Sequence, residues 1–190
     1  VKLNTKVPII LMTCKGREKY RDYLVSKIPN LIVIQDNDKA AMEAYFNVLR
    51  AAGTGAYIHL EDDILLTTNF EAKIKKVIAE HRSEVINFFS RRGDDLTIGS
   101  RHVSGGSYNY NCCVYFPKGY AAAILKYSDT WWPANKQKNP TGLDTIIADF
   151  LKQNKLGYWN QVPSLVQHRD GVSAINPRRP NLRISKTFKE

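Results

Sequence analysis

The chain has neither a Gly-x-Gly-x-x-Gly turn nor a P-loop, so binding of phosphates by a glycine-rich turn is not expected of it. Its three cysteines, Cys14, Cys112 and Cys113, give no even disulfide framework and no C-x-x-C zinc spacing, and buried free thiols are expected. No apolar run approaches the roughly 20 residues of a membrane-spanning helix. The first residues also lack the basic, apolar, small-residue order of a signal peptide, and the expected location is cytoplasmic, or the host cytoplasm if the source is viral. Disorder is not indicated either, since 43% of the 190 residues are hydrophobic and 24% charged, close to a soluble globular average. What the chain has in excess is positive charge. A formal net charge of +10 suggests a polyanionic partner or substrate.

One stretch organises the rest. Ala56-Tyr57-Ile58-His59-Leu60 reads as a buried strand, punctuated at its start by Gly53-Thr54-Gly55, and it runs straight into Glu61-Asp62-Asp63. In an open α/β sheet the crevice beyond the carboxyl ends of the strands is where ligands sit. Period-two alternation puts Glu61 and Asp63 on one face and Asp62 on the other, with His59 a packed strand residue. Three adjacent carboxylates repel each other, and a hard cation such as Mn²⁺ or Mg²⁺ would relieve that repulsion. The competing reading is an exposed acidic turn.

Two βα units precede this strand. Val7–Thr13 and Leu31–Ile34 are apolar runs that read as buried strands, separated by helices over 17–27 and from about Lys39 to Ala52. Parallel strands with right-handed crossovers follow. Downstream, Thr68 and Glu71 have capping-box spacing ahead of a helix, and Val85–Phe89 and Asn111–Phe116 read as strands. A polar loop is expected over 91–106, a helix over 118–127, and a loop over 130–135 that contains Trp131, Trp132 and Pro133. Leu143, Ile146, Ile147, Phe150 and Leu151 mark the clearest amphipathic helix, and Trp159–Gln167 reads as a late strand. The basic C-terminal segment, with Arg169, Arg178, Arg179, Arg183, Lys186 and Lys189, reads as a tail or lid.

An apolar strand ending in Leu-Glu-Asp-Asp after two βα units resembles the GT-A class of nucleotide-sugar glycosyltransferases. Thr141-Gly142-Leu143-Asp144 resembles the helix start that delivers their catalytic base, and Pro163-Ser164-Leu165-Val166-Gln167-His168 resembles a segment whose His reaches the metal or diphosphate. The resemblance covers about Val7 to Ser173. It implies an α/β fold: a single GT-A (Rossmann-like) domain over 1–176, with a mixed, mostly parallel sheet flanked by helices, and 177–190 as the basic tail.

By the same resemblance the metal ligands are Asp63, Glu61 and His168, and the base is Asp144 in an inverting transfer. Thr13, Arg17, Asp36, Asn47, Arg50 and Asp62 become the donor-binding candidates, with a UDP-sugar as the donor. Two of these have structural rivals. Asp144 would also complete a capping box with Thr141, and Asp36 belongs to an Asp-Asn-Asp run that is strong turn chemistry.

For the acceptor, Arg91, Arg92, Arg101, Lys136, Lys138, Arg178, Arg179 and Arg183, interleaved with Tyr108, Tyr110, Trp131 and Trp132, resemble a charged groove with stacking groups. That points to DNA carrying a hydroxymethylated pyrimidine, as in viral DNA-modifying glycosyltransferases, the base being flipped out of the duplex. A glycan acceptor, a non-catalytic nucleic-acid-binding module and a metal-dependent nuclease are the alternatives.

Overall fold

A computed structural model describes residues 7–38, 40–169 and 183–190. The chain begins with β1 (Ile9–Cys14), α1 (Glu18–Lys27), β2 (Ile32–Asp36), α2 (Ala41–Ala52) and β3 (Tyr57–Glu61). It continues through β4 (Ile64–Leu66), α3 (Phe70–His81), β5 (Val85–Asn87), α4 (Asp95–Ile98), β6 (Arg101–Ser104) and β7 (Cys113–Phe116). The last elements are α5 (Tyr120–Asn135), α6 (Leu143–Gln153), β8 (Gly157–Asn160) and β9 (Val166–His168).

Seven strands form one mixed sheet in the order β2-β1-β3-β7-β5-β8-β6. β1 lies between β2 and β3 and is parallel to both, as two βα units require. Only β7 and β6 run against the rest, so the sheet is mostly parallel and flanked by helices. β4 and β9 pair separately as a short antiparallel ribbon, with Ile64 opposite His168. No helix among the described residues is long and apolar enough to cross a membrane.

Strand alternation divides the interior into two cores. Ile10 and Tyr57 point to the side covered by α2, α5 and α6, where Tyr45, Leu49, Ile124, Ile146 and Ile147 are buried. Leu11, Ile58 and Leu60 point the other way, onto Leu24 of α1 and Phe70 and Ile74 of α3. β3 is therefore covered on both faces, which explains its unbroken apolar run.

Several expectations fail for identifiable reasons. β2 is an edge strand with Ile32 and Val33 exposed at 41% and 37%, because an apolar run does not reveal how many neighbours a strand has. The 91–106 loop contains α4 and β6, whose short polar sequences carry little periodicity. The 130–135 loop is the last part of α5: Trp131 Nε1 donates to Asp149 Oδ2 at 2.8 Å and Trp132 packs edge-on against Phe46, so helix packing outweighs the single bond lost at Pro133. Asn69, in a left-handed conformation, stands where Thr68 was expected to cap α3. The late strand is two strands, β8 and β9, interrupted around a cis Val162–Pro163 bond.

The basic C-terminal segment is docked where it is described. Ser185 N–H donates to Gln167 Oε1 at 2.8 Å, Ser185 Oγ donates to Ser164 Oγ at 2.8 Å, and Ser185 and Thr187 are both buried. Lys39, Arg178 and Arg179 lie outside the described residues.

Candidate active site

The carboxylates leave β3 at the C-terminal edge of the parallel strands, and β1 ends beside them. Thr13, buried at the end of β1, donates its hydroxyl to Asp62 Oδ2 at 2.6 Å. Arg17, in the turn before α1, places Nη1 2.9 Å from Asp62 Oδ1 and 2.8 Å from Asp63 Oδ2. Asp62 turns toward Thr13, on the side expected from alternation, but the strand ends at Glu61 and one guanidinium then joins Asp62 to Asp63. Three predicted donor-site residues are thus consumed in holding one another.

His168 arrives from the β4–β9 ribbon. Arg169 N–H donates to Asp63 O at 2.7 Å, which fixes the ribbon to the acidic turn, and His168 Nε2 stands 3.3 Å from Asp63 Oδ2. The His168 Nδ1 atom is 2.7 Å from Arg169 O. A carbonyl only accepts, so Nδ1 carries a hydrogen and Nε2 is the atom presented to Asp63. The Arg169 guanidinium lies over the rings of Tyr20 and Tyr23, at 5.4 and 4.4 Å, and donates through Nε to Ile64 O. Tyr20 and Arg169 were not among the predicted site residues, and an Arg just after a family-like His is the sequence signal that marks the second of them.

The electrostatics separate the three acids. Burial raises the Asp62 carboxyl, outweighing its bonds to Thr13 and Arg17. Burial would also raise Asp63, but the hydrogen-bonded His168 and the Arg17 guanidinium outweigh it and hold the carboxyl at about 2. Glu61 goes the other way. Burial first, then the charges of Asp63 and Asp144, push it up to about 8 against the opposing pull of Arg183. Asp144 of α6 and Arg183 of the docked C-terminal segment therefore lie close enough to act on the Glu61 charge.

Asp144 lies in the first turn of α6. The N-cap is Gly142, so the capping box between Thr141 and Asp144 does not form. A Cβ on Gly142 would come within 3.0 Å of the Asn139 side chain and 3.1 Å of Trp131, so a larger residue would crowd the approach of this turn to α5. Asp36 makes the turn chemistry expected of it, with Oδ1 accepting the Asp38 and Ala40 N–H groups ahead of α2. Asn47 and Arg50 lie on the exposed face of α2, where Arg50 Nη1 bonds Asn47 and Glu43.

The expected basic groove also thins out. Arg101 is bonded to Asp94 and Asp95, Arg92 to Ser107 O and the Tyr158 hydroxyl, and Tyr108 and Trp131 are buried. Arg91 and Tyr110 remain as a cation–aromatic pair, with Nη1 3.1 Å from the tyrosine hydroxyl, and Lys136 and Lys138 are exposed.

Whether a divalent cation suits this donor set is a question of chemistry and number. Asp63 and His168 Nε2 offer one oxygen and one imidazole nitrogen, and the His168 Nδ1–H bonded to a carbonyl is the usual support of a metal-binding imidazole. Among the described residues no three His, Cys, Asp or Glu side chains are grouped to hold a metal by themselves. Mg²⁺ commonly uses one or two protein carboxylates and completes its shell with substrate phosphates and water, and the residues fit that mode. No protein-family model and no curated protein matches this chain.

Proposed function

We propose that this protein is a GT-A-type glycosyltransferase that moves a sugar from a UDP-sugar to an acceptor hydroxyl, assisted by Mn²⁺ or Mg²⁺. The observation that carries the reading is the convergence of Glu61, Asp63, Asp144 and His168, from β3, the turn after it, α6 and β9, at the C-terminal edge of the parallel strands.

Asp63 and His168 would hold the cation, and when bound it would act as a Lewis acid toward the diphosphate. Asp62, both of whose oxygens are already bonded, serves with Thr13 and Arg17 as the floor of the donor site. Asp144 takes the proton of the acceptor hydroxyl as its oxygen forms a bond to the anomeric carbon. The anomeric C–O bond to phosphate breaks in the same displacement, and its electron pair leaves on the UDP diphosphate. Inversion follows from that single displacement.

The acceptor we propose is a hydroxymethylated pyrimidine in DNA, supported by the +10 net charge and by the exposed Arg91 beside Tyr110. Mn²⁺-dependent release of UDP from UDP-sugars is expected of the wild-type protein and not of Asp63→Ala. An active Asp63→Ala, or equal release in chelator, would sink the metal assignment. Radiolabelled sugar should pass to hydroxymethylated duplex DNA and not to unmodified DNA. Transfer to an oligosaccharide alone would replace the DNA acceptor with a glycan, and cleavage of plasmid without UDP release would replace the glycosyltransferase with a nuclease.

A further inference from the structure

Tyr110 has φ = +63°, a left-handed conformation that bulky L residues rarely adopt. It is held there from below. Asn87, 1% exposed at the end of β5, donates through Nδ2 to Asn109 O at 3.0 Å and Tyr110 O at 3.2 Å, and its Oδ1 accepts the Phe89 N–H at 3.0 Å. Asparagine tolerates this backbone far better, and the chain places asparagine at 109 and 111 on either side. The strained position nevertheless carries an aromatic ring and not asparagine.

The ring packs against the core on one side only. Tyr110 is half-buried, its ring meets the Phe89 ring at 82° and 5.6 Å, and the Arg91 guanidinium lies 5.4 Å from its centroid. Arg91 differs from its neighbour Arg92 in this respect. Arg92 is locked between Ser107 O at 2.7 Å and the Tyr158 hydroxyl at 2.6 Å, whereas Arg91 is exposed and touches the tyrosine. The pair sits at the reactive edge of the sheet: Arg91 follows the C-terminal end of β5, and Tyr110 is two residues before Cys112, whose carbonyl accepts the Glu61 N–H at 2.9 Å.

We infer that Tyr110 and Arg91 form a subsite for one unpaired nucleotide of the acceptor strand, the ring stacking on the base and the guanidinium meeting its phosphate. A flat ring and a planar cation in one exposed pair match a nucleotide, which offers a π-face and an anion a few ångströms apart. This inference rests on the nucleic-acid acceptor proposed above and locates where that acceptor is gripped.

The test is binding, independent of donor and turnover: fluorescence anisotropy of the full-length protein with a labelled single-stranded DNA 12-mer, run with a labelled maltoheptaose as the neutral comparison. Tyr110→Asn should weaken DNA binding roughly tenfold while its Tm stays equal or rises, because asparagine relieves the backbone strain. Tyr110→Phe should bind as wild type does, and Arg91→Gln should weaken binding several-fold and reduce the salt slope by about 1. Wild-type DNA affinity in both Tyr110→Asn and Arg91→Gln overturns the inference, as does Tyr110-dependent binding of maltoheptaose without binding of DNA. A loss of Tm in Tyr110→Asn with unchanged DNA affinity also overturns it, by making Tyr110 a packing residue. Absence of UDP release alongside Tyr110-dependent DNA binding would remove the glycosyltransferase reading and leave the subsite standing.

Discussion

Asp62 and Asp63 rest on one nitrogen of Arg17, with Thr13 and His168 supplying the remaining contacts, whereas Glu61, one residue earlier, is surrounded by Asp63, Asp144 and its own burial. Burial is common to both regions, so it does not distinguish them. The difference lies in what each acid was given as a partner. Asp63 is held at about 2 by a guanidinium and an imidazole, whereas Glu61, lifted to about 8 by burial and then by two other acids, is a place where positive charge is wanted. Within three consecutive residues, two acids are bonded to the Arg17 cation and the third is crowded by other acids.

The largest effect expected on this division is at Asp144. Replacement by Asn removes the proposed proton acceptor while keeping size and the first-turn position, and turnover should fall by roughly 10² to 10⁴ with the affinity for UDP-sugar little changed. Single-turnover kinetics beside donor titration separates the two quantities. A fall in Tm without a fall in turnover would make Asp144 a structural residue of α6.

Arg17 comes next, on the supporting side. Its side chain and that of Asp62 are only 11% and 7% exposed, so Arg17→Met would leave two buried carboxylates without their shared cation. Breaking a buried pair from one side costs about 3 to 5 kcal/mol, and the expected fall in Tm is roughly 10 °C. Thermal unfolding at pH 7 measures it. The double variant Arg17→Met, Asp62→Asn should recover part of the loss, since one of the stranded charges is gone; no recovery would mean that Arg17 holds the turn by packing.

The sequence made some of this visible and hid the rest for physical reasons. β1, β3, α6 and the parallel start of the sheet were legible because buried elements write their period into apolar residues. The acidic motif was legible as a position, at the end of a two-sided strand. What each acid would face was not, because Arg17 and His168 are separated from Asp63 by 46 and 105 positions and meet it only through β1 and the β4–β9 ribbon. Alternation predicted opposite faces for Asp62 and Asp63, but it holds only while the strand lasts, and β3 ends at Glu61. Asn87 carries a sequence signal of its own: a lone amide inside Val85-Ile86-Asn87-Phe88-Phe89 has to find partners in the interior, and it finds the backbone of 109 and 110.

The smallest and sharpest test sets the two acids against each other across pH. Asp63 has its folded value below its ordinary 3.8, so its contribution to stability is complete above about pH 4 and is lost as pH falls toward 2. Glu61 has its folded value raised from 4.5 to about 8, so the folded protein keeps a proton that the unfolded chain releases. Stability should then fall as pH rises from 4.5 to 8, and not beyond, because above 8 the carboxyl is ionised in both states. Glu61→Gln removes that alkaline slope and leaves the acid limb unchanged, making the variant the more stable protein at pH 8 and equal to wild type near pH 4. Mn²⁺ should raise the wild-type Tm at pH 8, because a cation held by Asp63 and His168 would offset the neighbouring Glu61 charge, and should do less for Glu61→Gln. A wild-type Tm that is flat from pH 4.5 to 8 would show that Glu61 has found its positive partner within the folded chain, and the contrast between the two regions would then disappear.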